Sequence, residues 1–194
     1  MSSLTNERVV ARLLAAVPKS ELAASPVKDY PTVRLAAPAD LLPTARFLKG
    51  ELGFAYLEMV TAVDWLGPVS LEGFVSSPNP NPFTHKMPGP PVSPVPGPGV
   101  SYRPVLDLLW SFGNLAENQK VFLRLEVPRE RAEAPSLTGL FAAADWQERE
   151  AFDLFGIRFA GHSNLTKILT PDFLKGHPLR KDYVHQEDEY DADR

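Results

Sequence analysis

The densest chemistry in the chain lies between Trp146 and Leu169, in WQEREAFDLFGIRFAGHSNLTKIL, where Glu148, Glu150, Asp153 and His162 stand among aromatic and aliphatic residues. Carboxylates near a histidine can act as a general base or hold a metal ion. Their spacing decides whether they converge. On a helix Arg149 and Asp153, four apart, can pair along one face, and Glu150 lies on the same side three residues before Asp153. Glu148 instead shares a face with Phe152 and Phe155. The acids are therefore distributed around the helix, and a glycine turn separates Asp153 from His162. No HExxH-type pair is present. A free-standing carboxylate–histidine hydrolase, with or without metal, is thus a poor fit. Trp146, Phe152 and Phe155 must bury area, and glutamates among them would be costly to bury alone. A surface that holds another protein meets both demands, and no catalytic or metal-binding residue is expected.

The following segment, HSNLTKILTPDFLKGHPLRKDYVHQ, extends that expectation. Leu165, Ile168, Leu169, Phe173 and Leu174 need cover. Gly176 and Pro178 turn the chain, and the residue before proline is pushed to extended geometry, so His177 cannot continue a helix. Arg180-Lys181-Asp182-Tyr183 then presents two cations, an anion and an aromatic, residue types that dominate protein interfaces. His162, His177 and His185 are expected to be hydrogen-bonded structural or exposed histidines.

The elements that must position these groups follow from periodicity. Val9, Val10, Leu13, Leu14 and Val17 mark a helix from about Thr5 to Val17, closed by Pro18. Thr32 to Ala37 reads as a strand. Pro38-Ala39-Asp40 opens a second helix with Leu41, Leu42, Ala45 and Leu48 buried, ended by Gly50 and Gly53. Tyr56 to Leu66 and Leu71 to Ser76 read as strands. Nine of the chain's twenty prolines fall between Pro78 and Pro98, a run that suits neither helix nor sheet interior and is expected to form an extended surface loop. Val105 to Phe112 and Lys120 to Val127 flank Gly113-Asn114 as a hairpin. Ser136 is expected to start a helix running to about Phe155 and stopped by Gly156.

The expected architecture is α+β, a two-layer sandwich with a mixed, largely antiparallel sheet and helices on one face, plus an extended C-terminal arm. Residues 1–160 form the α+β domain, with a proline-rich loop insertion at about 77–102, and residues 161–194 form the arm and an acidic tail.

Composition narrows the function. The 194 residues are 44% hydrophobic and 23% charged, with a net charge of -4 and no basic stripe, which argues against nucleic acid. The absence of cysteine removes disulfides, thiolate-held zinc and ligated iron–sulfur clusters. No signal-peptide pattern or membrane-length apolar run is expected.

Two long motifs in order, EREAFDLFGIRFAGH (Glu148 to His162) and KILTPDFLKGHPLRKDY (Lys167 to Tyr183), resemble the C subunit of the proton-translocating NADH–quinone oxidoreductase, which belongs to the peripheral arm of respiratory complex I. Weaker similarity covers SLTGLFAAADW, the hairpin at Val105 to Val127 and FAYLEMVTAVDW. The resemblance places the family motif on Glu148, Arg149, Glu150, Asp153, Gly156, His162, Lys167, Gly176, His177, Pro178, Arg180, Lys181, Asp182 and Tyr183. Ser163 departs from the family's usual proline, and Thr166 from a usual basic residue.

What the resemblance implies is a protein with no cofactor of its own, peripheral on the cytoplasmic face of the membrane. It would pack chiefly on the quinone-site D subunit, and also on the B and I subunits. NADH, FMN, iron–sulfur clusters and quinone belong to the assembled complex. Glu148, Arg149, Glu150, Asp153, His162, Lys167, His177, Arg180, Lys181, Asp182 and Tyr183 would line the partner interface. On that expectation Arg180→Ala weakens assembly while leaving the isolated domain's melting nearly unchanged. An equivalent component of a ferredoxin-fed dehydrogenase or a membrane-bound hydrogenase fits the same motifs.

Overall fold

The computed structural model describes residues 5–25, 30–66 and 102–183. The first helix, α1 (Asn6–Ala16), is capped by the Thr5 hydroxyl, which accepts from the Arg8 amide, and it buries Val9 and Leu13. Two short strands follow, β1 (Glu21–Ala23) and β2 (Thr32–Arg34). A single 3-10 turn at Pro38–Asp40 leads into α2 (Leu41–Glu51), whose buried residues are Leu41, Thr44, Ala45 and Leu48. Leu42 is only half-buried, and Gly50 lies within the helix; Gly53, at φ 74, is the residue that reverses the chain.

The long strands are β3 (Tyr56–Asp64), β4 (Val105–Asn114) and β5 (Gln119–Pro128). The sheet has five strands in the order β1-β2-β5-β4-β3, antiparallel except for the β2–β5 pair. The fold is therefore the expected α+β arrangement with a mixed, largely antiparallel sheet and three helices.

Alternation sorts the sheet into two unlike faces. Leu106, Leu108, Trp110 and Phe112 of β4, with Val121, Leu123, Leu125 and Val127 of β5, belong to one buried cluster with residues of all three helices. The residues between them form the other face, which carries Asp107, Ser111, Lys120, Arg124 and Glu126. A bulge near Leu57 and Met59 adjusts the register of β3 on β4.

Two expectations of local structure change. The β4–β5 turn is Leu115 to Asn118, because Gly113 and Asn114 remain in the strand. Asn114 is buried there, its Nδ2 donating to Leu52 O (2.9 Å) and its Oδ1 accepting from the Glu117 amide (3.2 Å). The Glu58 side chain packs over Gly113, its Oε1 2.7 Å from where a Cβ would stand.

The helix expected from Ser136 begins eight residues later, as α3 (Ala144–Phe155). Ser136 is held out of the helix by its hydroxyl, which receives the Thr138 amide (3.1 Å) and donates to Glu148 (2.7 Å). Three strands went unforeseen: β1, which pairs with β2, and β6 (Glu133–Pro135) and β7 (Arg158–Ala160), which pair with each other in parallel on either side of α3 in sequence. At three residues each, they are too short for a periodicity signal.

From Gly161 to Tyr183 the chain has turns and bends but no helix or strand. The strand expected at Leu71 to Ser76, nearly all of the proline-rich loop and the acidic tail lie outside the described residues.

Candidate functional site

The motif residues gather around α3. Near its N-terminal end, Glu148 is fully buried. Its Oε1 accepts from the Leu137 amide and its Oε2 from the Ser136 hydroxyl, each at 2.7 Å. Burial pushes the Glu148 carboxyl above its ordinary value, against the pull of these two bonds. His162 approaches from beyond the helix. The Asn164 amide donates to its Nδ1 (3.0 Å), so Nδ1 carries no proton. Nε2 then bears the proton of the neutral ring and faces the carbonyl and carboxylate of Asp145, each at 3.2 Å.

At the other end, Asp153 is fully buried and gathers the following segment. Its Oδ2 accepts the amides of Ile168 (3.1 Å), Leu169 (2.8 Å) and Thr170 (2.9 Å), and its Oδ1 accepts the Thr170 hydroxyl. Burial alone would raise this carboxyl. The Thr170 hydroxyl and the three amides outweigh it and hold Asp153 below its ordinary value.

Helices end with carbonyls that lack intrahelical partners, and here the downstream chain supplies them one by one. Gly156 N donates to Phe152 O (2.8 Å), His177 Nδ1 to Asp153 O (2.9 Å), Leu179 N to Leu154 O (3.0 Å) and Arg180 Nε to Phe155 O (2.6 Å). The turn that permits this is Gly156, at φ 72, where a Cβ would sit 2.4 Å from His177 Nε2.

A second anchor ties the segment to the sheet. Arg129, buried just after β5, donates through Nε and Nη2 to the two oxygens of Asp64 at the end of β3, each at 2.9 Å. The same guanidinium reaches both oxygens of Asp182 (3.1 and 2.5 Å), and the Lys181 amide donates to Asp64 Oδ2 (2.8 Å). The Arg129 guanidinium holds the Asp182 carboxyl below its ordinary value.

Several sequence expectations resolve differently. Arg149 does not pair with Asp153. It donates to the carbonyl (3.1 Å) and hydroxyl (3.0 Å) of Thr166 and lies over the Trp146 ring at 5.0 Å. Thr166 is thus a partner for an arginine. Trp146 does not bury its area; it is exposed, as is Glu150.

Lys167 Nζ donates to Leu174 O (2.5 Å), and the Lys181 side chain is exposed. The Tyr183 ring lies 3.3 Å from where a Gly176 Cβ would stand. Arg180, whose Nη2 also reaches Arg129 O (3.3 Å), caps its own domain. Arg180→Ala therefore removes bonds internal to the chain, and the expectation of unchanged melting gives way.

The proposed base and its histidine are not brought together. His162 sits on Asp145, and Asp153 lies eight residues further along α3, roughly 12 Å of helix. Among the described residues no group of three or more histidines, aspartates and glutamates could hold a metal ion. Sequence reasoning missed Asp64, Arg129, Ser136 and Thr170. A charge at the end of an apolar strand, as in VTAVD and LEVPR, was the available signal for the first two.

The fold and site define a class: an α+β domain whose signature residues fasten its own C-terminal segment around one helix. The chain belongs to the respiratory-chain NADH dehydrogenase 30 Kd subunit family, whose sequence model matches residues 35–189. The C subunit of NADH-quinone oxidoreductase from Roseiflexus castenholzii is 31% identical over 182 residues, 93% of this chain and 84% of that protein. NADH-quinone oxidoreductase subunit 5 of Thermus thermophilus is 52% identical over 67 residues, 34% of this chain and 32% of its own.

A Shewanella woodyi protein, named as a C/D subunit of the same enzyme, matches at 40% identity over 85 residues, 44% of this chain and 14% of that protein. Among solved structures, the trypsin-resistant fragment of Nqo5 superposes with a TM-score of 0.56 at 22% identity, covering 82% of this chain and 98% of the fragment. A chain of an archaeal membrane-bound sulfane sulfur reductase gives 0.57 at 21% identity, covering 91% of this chain and 84% of its own; both likenesses concern the fold alone.

Proposed function

We propose that the chain is a non-catalytic scaffold of a proton-translocating NADH–quinone oxidoreductase, docked on the quinone-site D subunit in the peripheral arm, with the B and I subunits as further neighbours. Within that assembly NADH, FMN, iron–sulfur clusters and quinone carry the chemistry, and this chain positions its partner at the cytoplasmic face of the membrane. The observation that carries the proposal is the clamp on α3. Glu148, Asp153, His162 and His177, the groups a hydrolase would need free, are engaged as acceptors and donors that fix backbone. Family membership supplies the complex, and the relative named as a C/D subunit couples this sequence type to its proposed partner. No helix of the described residues is long and apolar enough to cross a membrane, which suits a peripheral position.

The test is an affinity-tagged full-length chain recovered from detergent-solubilised membranes of its own cell. The D, B and I subunits and an NADH-oxidising flavoprotein are expected with it, and recovery of the chain alone overturns the proposal. A complex recovered without the flavoprotein, and reduced by ferredoxin, shifts the assignment to a ferredoxin-fed relative.

A further inference from the structure

Residues 67–101 separate β3 from β4 in sequence, and the chain on the two flanks of that insertion is closed into a stem. Trp65 N donates to Val105 O (3.1 Å) and Arg103 N to Trp65 O (2.7 Å). The stem is tied to Asp64 and Arg129, and these two side chains also hold the C-terminal segment. Asp64 Oδ1 accepts the Leu66 amide (3.0 Å) and Arg129 Nε (2.9 Å). Its Oδ2 accepts Arg129 Nη2 (2.9 Å) and the Lys181 amide (2.8 Å). The Arg129 amide donates to Pro104 O (3.2 Å), on the other flank, while its guanidinium holds Asp182. One ion pair thus joins both flanks of the insertion to residues 181 and 182.

The members of this junction differ in how easily each can leave it. The side chains of Asp64 and Arg129 are 1% and 10% exposed, and that of Asp182 is 49% exposed. Separating the buried pair would strand a charge away from water, whereas a half-exposed carboxylate returns to water at small cost. Asp64 with Arg129 is therefore the fixed half, and Asp182 with the Lys181 amide is the half that lets go. The Asp64 carboxylate is aimed by donors on both oxygens. Losing the Lys181 amide from one oxygen frees it to turn, and the Leu66 amide on the other oxygen loses its fixed acceptor.

We infer that Asp64 and Arg129 form a two-position latch that couples the stem of the 67–101 insertion to the C-terminal segment, so that seating either one tightens the other. In the closed position Asp182 and the Lys181 amide sit on the ion pair. In the open position the pair stays intact and they return to water. Such coupling is reciprocal, because both ends favour the same closed position. A restraint on the stem holds the C-terminal segment to the sheet, and a pull on the segment loosens the stem. The latch concerns one part of the chain sensing another and does not depend on the complex proposed above.

Amide hydrogen exchange of the purified full-length chain reads both ends at once. Asp182→Ala leaves the Asp64–Arg129 pair in place. It is expected to speed exchange at the Lys181 amide and, with it, at the Leu66 and Arg103 amides, by about fivefold or more. Trp65→Ala removes the ring over which Arg103 lies (6.0 Å) and the indole N–H that reaches Asp107 (3.4 Å). This loosening of the stem is expected to speed the Lys181 amide in return. Lys120→Ala, a control that removes an ion pair at the opposite end of the β4–β5 hairpin, leaves all three amides at their wild-type rates. The Ile168, Leu169 and Thr170 amides, bound by Asp153, keep theirs in every variant, which separates latch opening from general loosening.

Faster Lys181 exchange in Asp182→Ala with Leu66 and Arg103 unchanged overturns the inference, since the two ends then move independently. Unchanged Lys181 exchange in either Asp182→Ala or Trp65→Ala overturns it as well. So does a rise shared by the Asp153-bound amides, because the whole segment would then be loosening without a latch.

Discussion

The two sides of this molecule use the same types of charged residue in opposite ways. On the open sheet face, acid meets base. Arg103 grips Glu126 with two bonds (2.6 and 2.8 Å), Lys120 reaches Glu58 (3.0 Å), and Arg34 pairs with Glu21, all of them partly exposed. Around α3, Glu148 and Asp153 are fully buried and meet amides and hydroxyls rather than cations. Exposed pairs gain little because water screens them and side-chain entropy opposes them. A buried carboxylate has no water to return to, so its protein donors become obligatory. The first arrangement leaves most of its charges in water, buried Asp107 on Arg124 being the exception on that face; the second fixes where a strand of backbone must run. This contrast marks the α3 clamp as the built site.

The contrast is broken most directly at Asp153. Asp153→Ala orphans three amides at once and frees the segment that carries Leu169, so a loss of about 3–5 kcal/mol is expected. Urea unfolding of the full chain measures it, and faster tryptic cleavage at Lys167 and Lys175 reports the local release. A loss below ~1 kcal/mol with unchanged cleavage would place Asp153 with the sheet-face charges.

Gly156→Ala comes next. It forces an alanine into left-handed geometry and drives its Cβ into His177, for about 2–4 kcal/mol. Thermal melting of the purified chain checks it.

Acid sharpens the comparison, because the two buried acids have opposite signs. Glu148 is pushed up, so the folded chain holds that proton more tightly than the unfolded one. Its contribution favours folding below the ordinary carboxylate value and is lost as pH rises through the raised value. Asp153 is held down, so its contribution is present above the ordinary value and lost as pH falls through the depressed one. Glu148→Gln keeps an acceptor for the Leu137 amide and can donate to the Ser136 hydroxyl. It should therefore gain on wild type as pH rises from ~4 to ~7. Asp153→Asn should lose ground to wild type lower on the scale, as pH rises from ~2.5 to ~4.5, where the unfolded aspartate gives up its proton, and should hold level above that. Urea midpoints across each interval decide, and a Glu148→Gln trend confined to the same low interval, with the same sign as that of Asp153→Asn, would refute the opposed assignment.

How much of this was legible in the sequence depends on the range of the interactions. Helix α1, the β4–β5 hairpin and the stop at Gly156 are local events, and residue type announces them: apolar spacing, alternation, a glycine. The family motif was legible as a motif. Its geometry was not, because each key bond joins distant residues: Arg129 to Asp182, Asp64 to Lys181, Asp153 to Thr170. Helical spacing offered Arg149 as the partner of Asp153, and a backbone segment beyond the glycine turn outcompeted it. Trp146 looked like core by type alone. Only the placement of α3, with Glu148 turned inward onto Ser136, shows that the ring faces outward.

The smallest effect tests the other half of the comparison, and Lys120 with Glu58 is the pair to use. Glu58 does more than meet Lys120: it accepts the Ser111 hydroxyl (2.8 Å) and packs over Gly113. Truncating it to alanine would mix those losses with the ion pair. Glu58→Gln preserves the packing and an acceptor for Ser111 while removing the charge, and Lys120→Ala removes the other partner. Unfolding of both single variants and the double variant then isolates the coupling, which should be below ~0.5 kcal/mol and should fade in 1 M salt, where the screening length shrinks to about 3 Å. A coupling near ~2 kcal/mol, insensitive to salt, would mean that the sheet face holds its charges as firmly as α3 does, and the division between a solvated face and a built site would fail.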